Sequence, residues 1–124
     1  MLSDAQVAAL LPSTDLDVSK DFYQNKLGLK LLPIEDGPVV FEAGDGTTLE
    51  VYYRPEPTKA EHSVAAFRVT DINAVIKDLE GRGVVFEDYE GAVNHVMEYG
   101  PTKLAWLKDP HGNIISLSED ERLT

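Results

Sequence analysis

The strongest constraint on this chain is that its pattern begins twice. Asp15 and Asp71 each precede a stretch of helical apolar spacing, as N-caps do, and they stand 56 residues apart. Gly46 and Gly112 each close a hairpin turn and stand 66 residues apart. The ten extra residues fall between helix and final hairpin of the second half, where the loop Glu90 to Thr102 sits. In the first half, Gln6 to Leu11 reads as a strand. A helix follows with Val18, Phe22, Tyr23 and Leu27, ended by Gly28, and then strands at 29–34, 39–43 and 47–53. In the second half the strand is His62 to Val69, and the helix carries Ile72, Val75, Ile76 and Leu79 before Gly81 and Gly83. Its remaining strands are expected at 84–86, 103–107 and 113–119.

Each half is therefore βαβββ, over residues 5–54 and 62–119, joined by the linker Arg54 to Glu61 with its two prolines. A four-stranded sheet with one helix cannot cover both its own faces. The expectation is an α+β chain forming one domain over residues 1–124, with the two modules curled into an open, barrel-like cup.

Charge narrows the partners. Eleven Lys and Arg against 22 Asp and Glu give a formal net charge of −11, split almost evenly between the halves. Nucleic acid and anionic membranes would be repelled by such a surface. It serves solubility, or as a sharper reading it draws in a cationic ligand. The absence of cysteine excludes a disulfide scaffold, Cys-ligated zinc, iron–sulfur clusters and a thiol nucleophile. No basic segment precedes the apolar run Val7 to Leu11, which is too short for a signal peptide or span, so a cytoplasmic protein is expected.

Three ordered motifs carry a resemblance. They are Asp15-Leu-Asp-Val-Ser-Lys-Asp-Phe-Tyr with Leu27-Gly28-Leu29, then Asp71-Ile-Asn-Ala-Val with Gly83-Val84, then Trp106-Leu-Lys-Asp-Pro-His-Gly-Asn-Ile115. Together, from about residue 6 to residue 119, the sequence resembles the glyoxalase / bleomycin-resistance / extradiol-dioxygenase (vicinal oxygen chelate) superfamily. The resemblance implies the two-module cup. In catalytic members it also implies a divalent metal at four positions, on the first and last strands of each module. The repeat puts those positions at Ala8 and Val64, seven residues before the caps, and at Glu50 and Ser116, four after the hairpin glycines. Only Glu50 is a good ligand for a hard or borderline cation. No metal cofactor is therefore expected. A metal would need Glu50 and His62 with His95 or a displaced Glu119, and Glu119 has the wrong strand parity for the cup.

The expected ligand pocket is Ala8, Glu50, Tyr52, His62, Val64, Arg68, His95, Tyr99, Trp106 and Ser116. Glu50, on a half-buried face, is expected to be neutralised by Arg54, Arg68, Tyr52 or His62, or else to contact ligand as an acid or base. His62 is the leading general base, since an imidazole titrates near neutrality. His111, in a turn, is expected to be exposed and inert. Trp106 offers an aromatic wall or a plain core residue. The loop 90–102 reads either as a lid or irregular strand at the cup mouth or as a contact with a second subunit. The functional expectation is a metal-independent protein that binds a small molecule, drug or metabolite, and forms a homodimer. The alternative is a lyase, isomerase or dioxygenase of the same superfamily acting through Glu50 and His62.

Overall fold

Side-chain alternation sorts the strands into two faces, and that sorting builds the molecule. The computed structural model describes residues 1–123. The first module runs β1 (Ala9–Ser13), α1 (Leu16–Asp21), β2 (Lys30–Leu31), β3 (Val39–Glu42) and β4 (Thr48–Tyr53). The second repeats it as β5 (Ser63–Arg68), α2 (Ile72–Gly81), β6 (Met97–Tyr99), β7 (Thr102–Lys108) and β8 (Ile114–Asp120). The two sheets have equivalent orders, β1-β4-β3-β2 and β5-β8-β7-β6. In each, the first strand runs parallel to the last. β1 and β5 lie against each other without joining the sheets into one, which leaves an open cup rather than a closed barrel.

Both helices start where the cap aspartates put them. The Asp15 carboxylate accepts from the amides of Asp17 and Val18, and Asp71 accepts from the Ala74 amide. α1 continues into one π-helical turn, Phe22–Lys26, which holds Phe22 and Tyr23 in the core. Gly28 then turns the chain with φ 77°, a left-handed value, and a Cβ there would sit 3.1 Å from the Arg82 guanidinium of the other module. Leu11, Phe41, Leu49 and Val51 of the first sheet share one core with Ala105, Leu107, Ile115 and Leu117 of the second, joined by Ile72, Ile76 and Leu79 of α2. All the strand residues in that set have odd numbers. Their even-numbered neighbours Leu10, Pro12, Glu50, Tyr52, Leu104 and Trp106 point to the opposite face, and none of them is fully buried.

The modules are pinned by the β7–β8 turn. Buried Asp109 accepts four hydrogen bonds: Tyr23 Oη at 2.6 Å, Asn113 Nδ2 at 2.7 Å, and the amides of His111 and Asn113 at 2.9 Å each. Asn113 Nδ2 also donates to the Pro12 carbonyl of β1 at 2.9 Å. Burial first, then the Asp109 charge and hydrogen bond, hold the Tyr23 phenol far above its ordinary value. His111 is therefore not the exposed turn residue expected of it. It is half-buried, and its Nδ1 lies 3.5 Å from Ser13 Oγ and 3.4 Å from Ser19 Oγ.

Three strand expectations are corrected. The strand expected at 29–34 spans only Lys30–Leu31; the Leu32 amide adds one bond to the Val40 carbonyl, and Pro33 has no amide to carry the ladder further. β1 is displaced toward its C-terminus and takes in Pro12. Residues 84–86 form a single bridge, Phe86 to Leu107, and the second strand of that module is β6, drawn from the long loop. The alternation at 84–86 is real, with Val84 and Phe86 buried and Val85 exposed. β6, however, holds the register against Thr102 to Leu104.

Candidate ligand-binding cup

The even-numbered face forms the cup. On β4, Glu50 pairs in register with Leu10 of β1 on one side and Val40 of β3 on the other, and Tyr52 pairs with Pro12. On the second sheet, Ser116 of β8 stands between Ala66 of β5 and Trp106 of β7. Trp106 is half-buried and meets the edge of Tyr89 with ring centroids 5.1 Å apart. Met97 and Tyr99 of β6 oppose Leu104 and Thr102, which makes them the outer rim of this face. The 97–99 part of the long loop is thus an edge strand rather than a lid.

The structure brings Glu50, Tyr52, Val64, Trp106 and Ser116 to the cup, with Arg68 in register with Ser118 at the far end of β5. Ala8 lies just before β1, and the residue that faces Glu50 across the ladder is Leu10. His62 precedes β5 and is exposed. Its Nδ1 is 3.1 Å from the Ser63 carbonyl oxygen, and no bond joins it to Glu50 among the described residues. The two-residue face rule does not carry from Val64 to His62 because the register shifts between Ser63 and Ala65, leaving Val64 as the bulged residue.

His95 is not in the cup. It stacks on Phe86 at 5.8 Å, and its ring nitrogens meet Asp88 Oδ1 at 2.5 Å and Glu80 Oε2 of α2 at 3.2 Å. The hydrogen bond to Asp88 is the largest influence raising its pKa above the ordinary histidine value, and Glu80 adds to it. Glu119 also turns to the helix side. It accepts from the Ile72 amide at the start of α2 and lies 3.8 Å from Lys103. The ion pair expected to neutralise Glu50 is not formed. Half-buried, its carboxylate has no hydrogen bond or ion pair among the described residues.

The four positions that the fold offers a divalent metal do not fit one. Ala8 and Val64 have no donor atom, Ser116 offers a neutral hydroxyl, and Glu50 alone supplies a carboxylate. No group of three or more His, Cys, Asp or Glu side chains comes together with metal-binding geometry among the described residues.

Much of the wall comes from residues outside the expected pocket. A hollow of about 500 Å³ opens on the cup face between Leu10, Pro12, Tyr52 and Val64 and the linker residues Arg54 and 56–59. The linker is tied down there. The Arg54 amide donates to the Ser13 carbonyl, and Gly112 of the β7–β8 turn lies beside Thr58. Strand parity from the cup position Ala8 already points Leu10 and Pro12 inward. Nothing in the composition of a Pro-containing linker marks it as a wall.

With this geometry in view, comparison with known proteins gives the family. A model of the Glyoxalase/Bleomycin resistance protein/Dioxygenase superfamily matches residues 5–117, and the chain belongs to that superfamily. Among solved structures it resembles a glyoxalase family protein from Enterococcus faecalis, with 21% identity, a TM-score of 0.73, and coverage of 96% of this chain and 100% of that one. A lactoylglutathione lyase from Agrobacterium tumefaciens is similar at 20% identity and TM-score 0.71, covering 97% and 96% of the two chains. A glyoxalase/bleomycin resistance protein/dioxygenase from Nocardioides follows at 20% identity and TM-score 0.70, covering 94% and 83%. At such identities the likeness concerns the fold. The sequence matches none of the curated proteins. No helix among the described residues is long and apolar enough to cross a membrane.

Proposed function

We propose that this protein binds a small molecule, drug or metabolite, in its cup without a metal ion. The observation that carries the reading is the donor set: Ala8, Val64 and Ser116 stand where metal-dependent relatives need ligands. The same face offers Leu10, Pro12, Tyr52 and Trp106, a surface suited to an apolar or planar ligand. Sequestration needs no bond to be made or broken, and only shape and burial are asked of these residues. A homodimer belongs to the same reading. The test is calorimetric titration of a library of aromatic and amphiphilic compounds, with and without chelator, on protein of measured metal content. Binding that persists under chelation supports the proposal. A stoichiometric divalent metal, or binding abolished by chelator, overturns it.

One observation favours a second reading, an enzyme of the lyase or isomerase kind. Glu50 presents an unpaired, half-buried carboxylate to the cup, as a general base would. In that case Glu50→Gln abolishes turnover of a bound compound while leaving its affinity within about threefold.

A further inference from the structure

The charge lining the linker hollow is opposite to that of the protein. On a chain carrying −11, the hollow between Leu10, Pro12, Tyr52, Val64 and the linker is lined by two cations, Arg54 and Lys59, against one acid, Glu56. Neither cation has an ion pair or a side-chain hydrogen bond among the described residues, which leaves both free to meet a ligand; what sets the hollow apart is that two of them line one cavity. Three other hollows in the molecule are balanced or lean acidic. One holds Arg68 with Asp45, a second Lys26 with Asp17 and Asp21, and a third Asp78 alone.

We infer that the cup's ligand is an anion, an apolar or aromatic body carrying a carboxylate or phosphate that Arg54 and Lys59 engage. This rests on the small-molecule reading above and names the ligand's charge, against the cationic ligand that the overall acidity would suggest. Leu10, Pro12, Tyr52 and Val64 supply the apolar floor, and the guanidinium fork of Arg54 suits a planar oxyanion. Glu50, four residues back along β4 and about 13 Å away by strand rise, fixes the polarity. It repels an anionic group at its own end, so the charged end lies toward the linker. With long-range repulsion from the acidic surface screened at physiological salt, the local pair decides the sign.

The test uses the full chain and three matched probes: biphenyl-4-carboxylate, its neutral carboxamide, and the cationic biphenyl-4-methylammonium. Affinity is read by calorimetry, and the site by amide shifts of Tyr52, Arg54 and 58–64 in NMR spectra. The carboxylate should bind about tenfold more tightly than the carboxamide, and the ammonium most weakly. Arg54→Gln/Lys59→Gln should remove that preference. Lys20→Gln/Lys77→Gln, which changes net charge equally but on the two helices, should keep it. Tighter binding of the amide or the ammonium, or equal loss in both double variants, overturns the anion assignment while leaving a small-molecule cup in place. Binding of none of the three overturns both.

Discussion

Replacing Tyr23 by Phe removes one oxygen and tests the joint between the modules. The Tyr23 hydroxyl is wholly buried and donates to Asp109 Oδ2 at 2.6 Å, one of four hydrogen bonds to that carboxylate. A hydrogen bond to a charged acceptor contributes about 2 kcal/mol, and the ring itself stays in place, so no cavity is added. For a domain of 124 residues that loss corresponds to a melting point lower by about 8 °C. The pH dependence gives a second reading of the same bond. Because the folded-state pKa of Tyr23 is raised, the folded protein keeps this proton above pH ~10 while the unfolded chain releases it. Stability from this group is complete below that pH and falls by about 1.4 kcal/mol per pH unit above it. Tyr23→Phe has no such proton, so the stability gap between wild type and variant should narrow from pH 10 to pH 11. Urea denaturation at pH 7, 10 and 11 measures both quantities. A loss below about 0.5 kcal/mol at pH 7, or a gap independent of pH, would refute the claim that this bond holds the joint.

Other perturbations read other parts of the structure. His95 takes a raised pKa from Asp88 and Glu80, so the clamp on residues 87–96 should be full in acid and loosen as pH rises through that pKa. Amide relaxation should report growing loop motion over that range in the wild type, and uniform motion without a pH step in His95→Ala. Gly28→Ala meets both a left-handed φ and the Arg82 guanidinium, and should lose about 1–2 kcal/mol in chemical denaturation. A smaller loss would mean that the Arg82 end moves aside and the backbone relaxes. Trp106→Ala should weaken binding of any aromatic cup ligand by about tenfold, with a calorimetric titration as the measure and an unchanged affinity as the contrary result.

The repeat made the architecture legible because caps, turn glycines and alternation are local devices. Asp15 and Asp71 fix where helices start, and the odd–even sorting of β4, β7 and β8 fixes which face is which. What escaped depends on distant partners. His95 has the composition of a site residue, but Asp88, seven residues before it, and Glu80 of α2, fifteen before it, draw it to the helix face. The same holds for His111, whose serine partners come from the other module. The edge of β7 is shared: β6 pairs with Thr102 to Leu104 while Phe86 bridges Leu107 further along, and nothing local in 84–86 or 97–99 foretells that division. The neutralisation expected at Glu50 failed for a related reason, since sharing a face brings side chains near one another without bringing them to bonding distance.

The Asp109 turn has a consequence for how such a chain can change. It carries the joining of the two halves through Tyr23 and the Pro12 carbonyl, so residues 54–61 are relieved of acting as a tether. Side chains along that segment can therefore change without unfastening the molecule, provided its backbone still spans β4 to β5 and keeps the Arg54 bond to Ser13. In this protein that segment is also one wall of the hollow. New ligand preferences can therefore arise by rewriting a single short stretch, leaving both sheets and the buried joint untouched.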